Sequence, residues 1–205
     1  MNDLKIGNIE IDAVRYACRK WHYSKSILAG SLVKYGVWEN DKFIGVILYS
    51  KGANPNIGKP YDLDHNKICE LTRIALREHL NFVSKILMMT LRQLKKDNDG
   101  LKLVISYADS SQGHLGKIYQ ATNWIYVGDS FSTYIKLNNK VFHPKTIFNR
   151  YKTISINKLR NIDKNVETVR CKRKYKYLYP LNREMRKKIL KLQKPYPKEL
   201  NASEA

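Results

Sequence analysis

The spacing of apolar and polar positions along the chain changes several times, and each change marks an element. Residues 10–20 set Ile11, Val14, Tyr16 and Cys18 at roughly helical intervals, predicting a helix that ends just before Trp21-His22-Tyr23. The apolar run 32–38, the polar Glu39-Asn40-Asp41 and the apolar run 43–49 read as a hairpin. Residues 51–66 are rich in Gly, Asn, Pro and Asp and predict a loop. A strand over 68–76 (ICELTRIAL) then leads into a helix over about 81–96, where Phe82, Val83, Ile86, Leu87, Met89, Leu91 and Leu94 recur on a helical period. Asn81 stands at its N-cap position and Ser84 in its first turn.

Leu103, Val104 and Ile105 are the apolar centre of a strand over 101–108 that runs into Asp109. A loop with Gly113 and Gly116, a short helix over about 114–122, and strands at 125–128 and 131–138 follow. Residues 143–205 carry a weaker mixture of strand-like and helical pieces, with a short basic helix predicted over 183–192 before Lys194-Pro195-Tyr196-Pro197. The order predicts an α/β (α+β) fold with a mixed, largely antiparallel central sheet flanked by helices. The expected organisation is a core over residues 1–140 and a basic C-terminal extension over residues 141–205.

Charge sharpens that division. The 205 residues hold 38 Lys and Arg against 18 acids, a formal +20, and residues 143–198 alone hold 18 cations against Asp163, Glu167 and Glu184. Such a field attracts polyanions, nucleic acid foremost. A solvated basic tail would share the composition, but the alternation in KRKYKYLYPL sets Tyr175, Tyr177 and Tyr179 among Lys172, Arg173, Lys174 and Lys176. Cations interleaved with rings can meet phosphates and stack bases, or fill a small core. No run approaches the length of apolar sequence that a membrane span needs, and no apolar signal-peptide stretch is present, so a cytoplasmic protein without a membrane partner is expected. Cys18, Cys69 and Cys171 are too far apart for a zinc motif and are read as reduced thiols.

The junction after residue 108 is where chemistry is expected. A strand's carboxyl end followed by a helix amino end presents free N–H groups and a positive partial charge. Asp109, His114 and Tyr119 all lie close to that edge in sequence. The same residues would equally serve as a helix cap, turn glycines and a solvated imidazole, so the junction alone does not decide.

Several spaced blocks in one order tip the balance: Trp21-His22-Tyr23, Glu70-Leu71-Thr72-Arg73, Asn81 with Ser84, Tyr107-Ala108-Asp109, Gly113-His114, Tyr119-Gln120-Ala121, Trp124, Tyr177-Leu178 and Pro195-Tyr196-Pro197-Lys198. The chain resembles the GNAT acetyltransferase superfamily and, within it, the bacteriophage Mom-type DNA modification proteins. One departure matters. The usual acetyltransferase phosphate loop, (Arg/Gln)-x-x-Gly-x-(Gly/Ala), is absent, and Arg77-Glu78-His79-Leu80-Asn81 stands in its place.

The resemblance implies acetyl-CoA or a related acyl-CoA as cofactor, held by Arg73, Arg77, Asn81 and Ser84. It implies double-stranded DNA as partner, with the N6 amine of adenine converted to a methylcarbamoyl (acetamido-type) derivative that protects phage DNA from host restriction. Asp109 is then the base or amine-orienting group and Tyr119 the proton donor, with His22 and Tyr23 in the same pocket. His22, Tyr23 and Asp109 together would also suit iron(III) or another transition ion. Lys172, Arg173, Lys174, Lys176 and Tyr175 are the expected DNA contacts, and a homodimer is a further expected partner. The rival readings are an N-acetyltransferase acting on a small molecule or protein, and a non-enzymatic DNA-binding protein. An adenine methyltransferase is disfavoured because its Asp/Asn-Pro-Pro-Tyr/Phe motif is missing.

Overall fold

The computed structural model describes residues 3–27, 32–52, 54–131, 133–170 and 173–198. In chain order these form β1 (Leu4–Asn8), α1 (Ile11–Trp21), β2 (Leu32–Glu39), β3 (Lys42–Ser50), β4 (Ile68–Leu76), α2 (Val83–Asp97), β5 (Leu103–Asp109), α3 (Lys117–Ala121), β6 (Ile125–Ser130), β7 (Thr133–Leu137), β8 (Lys140–Phe142), α4 (Pro144–Tyr151), α5 (Ile156–Leu159), β9 (Glu167–Arg170), β10 (Lys174–Pro180) and α6 (Arg183–Leu190). Seven strands make one sheet in the order β1-β2-β3-β4-β5-β10-β6, and only the β4–β5 pair is parallel. The expected mixed, largely antiparallel sheet is the one observed.

The β2–β3 hairpin closes through Asn40 and Asp41, both at positive φ (49° and 60°), as a tight two-residue turn between twisted strands requires. The sheet buries both faces. On one, Cys69, Leu71, Val104, Ala108, Tyr175 and Tyr177 pack under Ile86, Leu87, Leu91 and Leu94 of α2 and Tyr119 of α3. On the other, Val14, Ala17 and Cys18 of α1 cover Val46, Leu48 and Ala75, while Met185 and Ile189 of α6 cover Leu103, Ile105 and Leu178.

Three sequence expectations need correction. β1 was not foreseen, because its five residues LKIGN are too short to show a period. The strands expected at 125–128 and 131–138 lie in different sheets: β6 pairs with β10, and β7 lies in a separate three-stranded sheet, β8-β7-β9. The boundary at residue 140 does not divide core from extension, since β10 sits inside the main sheet between β5 and β6. What interrupts the core is an inserted module between the neighbouring strands β6 and β10, with its own small core of Ile135, Leu137, Ile147, Leu159 and Val166.

The sheet opens at one place. β4 and β5 pair only from Ile68 to Glu70 against Leu103 to Ile105. Beyond that, β4 continues along β3, whereas β5 follows β10 out to the Asp109–Lys174 pair. A bulge assists the parting: Leu48 faces Arg73 and Tyr49 faces Leu71, leaving Thr72 as the extra residue, whose hydroxyl donates back to the Leu48 carbonyl at 3.1 Å.

Candidate active site

The gap between β4 and β5 is the floor of a cavity of about 620 Å³. Trp21, His22 and Tyr23 at the end of α1 line one side, Leu71 to Ile74 and Ser106 to Asp109 line the strands, and Gly113 to Tyr119 line the other side. That volume is in the usual range for small-molecule sites. Four expected site residues, His22, Tyr23, Asp109 and Tyr119, together with Arg73, therefore share one cavity although they are spread over four elements and loops.

Asp109 ends β5 and caps the short 3-10 turn Ser110–Gln112, accepting the Ser111 N–H at 2.9 Å. Burial would raise its pKa, but the Ser111 hydrogen bonds, with Lys174 and His114 nearby, hold it below the ordinary carboxylate value. The capping role and the site role thus coexist, and the cap keeps the carboxylate ionised. Gly113 (φ 70°) and Gly116 (φ 78°) take the left-handed turns that bring the chain from Asp109 into α3.

Tyr119 is buried between α3 and the sheet, packed at a tilt against Trp124 and Tyr177 at centroid distances of 5.0 Å each. Its hydroxyl lies 2.8 Å from the Ser106 hydroxyl, whose single proton goes either to it or to the Leu71 carbonyl at 2.9 Å across the strand gap. Burial pushes the phenol up to about 12, so it stays protonated through the physiological range.

His22 is buried, and its Nδ1 accepts the Ser24 N–H at 3.1 Å with the Ser24 hydroxyl 2.8 Å away. An Nδ1 that accepts from a backbone N–H carries no proton, so the neutral ring bears its proton on Nε2. Burial, followed by Arg73, His114 and Lys25, lowers its pKa to about 4. His22 is therefore a neutral donor. Tyr23 packs at a tilt against His22 with ring centroids 4.4 Å apart and meets His114 edge-on at 5.8 Å, with its phenol raised by burial and then by Asp109.

The expected cofactor residues divide. Arg73 lines the cavity; its guanidinium reaches the Thr72 carbonyl (2.7 Å) and the Ser26 carbonyl (3.3 Å), and among the described residues no carboxylate bonds to it. Arg77 lies over the Trp21 ring at 6.0 Å. Asn81 is not the cap of α2, which begins after Phe82. Instead the Asn81 side chain and the N–H groups of Leu80 and Asn81 all donate to the buried Glu39 carboxylate at 2.6–2.8 Å. Those bonds hold Glu39 below its ordinary pKa and pin the loop before α2. Ser84 remains in the first turn of α2, away from the cavity lining.

Of the expected DNA contacts, Lys172 lies outside the described residues. Arg173 is exposed and pairs with Asp129 at 3.4 Å, while Lys174 is half-buried opposite Asp109. Tyr175 is buried and Lys176 is half-buried over the Tyr61 ring at 5.2 Å, because β10 is a central strand whose side chains fill both faces of the sheet. Tyr175 therefore packs rather than stacking on a base. Cys18 and Cys69 are buried free thiols, and Cys171 is outside the described residues. Among the described residues no helix is long and apolar enough to cross a membrane. Sequence reasoning missed Ser24, Glu39 and Ser106; for Ser106 the one available signal was a polar residue inside the otherwise apolar LVISYAD strand.

A mixed sheet that parts between two parallel strands, with a helix-borne Tyr and a strand-end Asp at the gap, defines a GNAT-type acyltransferase fold. The N-acyl amino acid synthase FeeM from uncultured soil microbes has the same fold, with a TM-score of 0.51 at 11% identity over 94% of this chain and 97% of that one. A Bacillus subtilis acetyltransferase solved with CoA aligns with a TM-score of 0.48 at 16% identity, over 89% of this chain and all of that one. The chain belongs to the Mom protein family, whose model matches residues 3–198. The methylcarbamoylase Mom of Escherichia phage Mu is 27% identical over 204 residues, covering 96% of this chain and 84% of the phage Mu protein.

The iron expectation gains no support from this arrangement. Among the described residues no three His, Cys, Asp or Glu side chains converge on one point, and His22 Nδ1 and the Asp109 carboxylate are each engaged by a backbone N–H. The acyl-CoA expectation has room here: the parted strands open the cavity, and Arg73 lines it beside Val83, the first residue of α2, whereas Arg77 is not among the lining residues.

Proposed function

We propose that the chain is a DNA-modifying transferase that places a methylcarbamoyl group on N6 of adenine, using an acyl-CoA-type donor, and so shields phage DNA from restriction. The observation that carries this reading is the convergence of His22, Tyr23, Asp109 and Tyr119 on one cavity at the strand gap of a Mom-family chain with net charge +20. An acetyl thioester carries no nitrogen and would give only N6-acetyladenine, so the donor would have to be a methylcarbamoyl thioester: when bound it would supply the carbonyl carbon to which N6 bonds as the C–S bond breaks and the thiolate leaves. Everything else falls to the residues of the cavity.

The N6 amine is a weak nucleophile because its lone pair is delocalised into the ring, so it must be oriented and relieved of a proton. Asp109, ionised and fixed by Ser111, is suited to accept an N–H of that amine and to stabilise the positive charge that develops on it. The His22 Nε2–H can donate to an oxygen in the same space. Tyr119, protonated and backed by Ser106, supplies a proton to the leaving group. N6 in a duplex is out of reach of a cavity this deep, so the base is taken out of the stack. A bulky N6 group then fills the major groove where adenine is read by its N6 donor and N7 acceptor.

The test is nucleoside mass spectrometry on DNA from cells that express the wild-type protein, Asp109→Asn or Asp109→Ala. A deoxyadenosine heavier by one methylcarbamoyl group, present with the wild type and lost in both variants while duplex binding persists, is the expected result. Unmodified DNA with a folded, expressed wild-type protein would overturn the reading in favour of a small-molecule acyltransferase or a binding protein.

A further inference from the structure

The inserted module, residues 131–173, is the part of the fold that the catalytic reading leaves unused. It holds eleven Lys and Arg and two acids, Asp163 and Glu167. Both acids are committed inside the module. Asp163 accepts the N–H groups of Asn138 (2.6 Å) and Asn165 (2.8 Å), and Glu167 pairs with Lys136 at 2.9 Å. Arg150, Lys152, Lys158, Arg160 and Lys164 are exposed, and among the described residues none of them has a carboxylate partner.

The position of the module is as informative as its charge. It leaves the sheet after Ser130 and returns at Lys174; those two residues face each other, and Lys174 faces Asp109. Two strand spacings therefore separate the root of the module from Asp109, roughly 10 Å. The returning chain touches the site loop directly, since the Ser110 N–H and hydroxyl both bond the Arg173 carbonyl. At the same root Arg170 lies 4.5 Å over the half-exposed ring of Phe131, a cation held on an aromatic face.

The other basic element, α6, sits at the opposite end. It follows Pro180, which pairs with Leu103 at the far end of β10, six residues and roughly 20 Å from Lys174. Its Lys188 is paired with Asp62 at 2.8 Å, and Met185 and Ile189 fix the helix against the sheet.

We propose that residues 131–173 are the duplex grip: their unpaired cations hold the phosphate backbone of double-stranded DNA over the cavity, and the cations of α6 take no part. This rests on the DNA reading given above. A phosphate backbone fits because the module offers many separated cations and no free anion, which suits an extended polyanion.

Two variants of equal charge change test it in the full-length protein: Arg150→Gln with Lys152→Gln and Lys158→Gln in the module, and Arg183→Gln with Lys187→Gln on α6 and Lys191→Gln at its C-cap. Binding to a labelled duplex is followed by fluorescence anisotropy over a salt series, with the deoxyadenosine adduct measured in parallel. The module variant is expected to lower the log–log salt slope by up to about three and to reduce the adduct, with the α6 variant like wild type. Equal loss in both variants, or none in the module variant, overturns the proposal, as does a module variant that binds DNA normally and loses only binding to anionic lipid vesicles. Duplex binding lost selectively in the module variant, with no adduct even from wild type, sinks the modification reading and leaves the grip standing. An adduct that persists unchanged in the module variant does the reverse.

Discussion

Gly113 and Gly116 flank the turn that carries the chain from Asp109 to Tyr119, and replacing each by Ala separates two costs that usually come together. Both residues are left-handed, at φ 70° and 78°, so each Ala pays the same backbone strain, about 1–2 kcal/mol. Space differs. A Cβ at Gly113 would meet nothing within 4 Å, whereas at Gly116 it would lie 2.4 Å from Tyr177 Cε2 and 2.7 Å from Cζ. Tyr177 cannot retreat, because it is fully buried and its hydroxyl is bonded to the Leu115 carbonyl and, at 3.3 Å, to the Gln120 amide. Overpacking of that kind adds about 1–3 kcal/mol. Urea unfolding should therefore show Gly116→Ala less stable than Gly113→Ala by about 1–3 kcal/mol. Gly116 also accepts the Tyr119 N–H at 2.9 Å, so its displacement should lower activity beyond the fraction unfolded. Equal destabilisation by the two variants would refute the claim that Tyr177 is the fixed wall of this turn.

Three further outcomes are expected. Tyr119→Phe removes one buried hydrogen bond, at a stability cost of about 1 kcal/mol, but should slow base modification by about 100-fold or more if the phenol is the proton donor; an unchanged single-turnover rate would leave it a packing residue. Glu39 has a depressed pKa in the folded chain, so its contribution to stability is complete above its ordinary value of 4.5 and is lost as pH falls below it. Glu39→Gln should accordingly flatten the acid limb of a melting-temperature profile, and an unaltered limb would show that the loop bonds do not matter. Because Ser130 and Lys174 are facing neighbours, exchanging 131–173 for an Asn-Gly turn should leave a cooperatively folding core that binds the donor but not duplex DNA; retained duplex affinity would contradict the grip.

The local elements were legible because each answers to its own residues. The 68–76 strand, the apolar stripe of α2, the β2–β3 hairpin and the strand ending at Asp109 follow from periodicity and turn chemistry over a few residues. Asp109 and the two glycines after it were legible as a strand-end turn for the same reason, though turn chemistry alone left a cap and a candidate site as equal readings. The tertiary structure alone decided what depends on distant partners. Which strand fills the space beside β5 is a competition for an open edge, and β10 wins it from more than sixty residues away, so the apparent basic extension became a central strand and its tyrosines became core. Asn81 looked like a cap until Glu39, 42 residues earlier, claimed it. The neutral state of His22 comes from burial and its Nε2 proton from the Ser24 N–H that occupies Nδ1, while Tyr119 stays protonated because burial outweighs the opposing Ser106 hydrogen bond. A sequence states which groups are present; the dielectric around them and the partner that takes each donor are fixed only when the chain has closed.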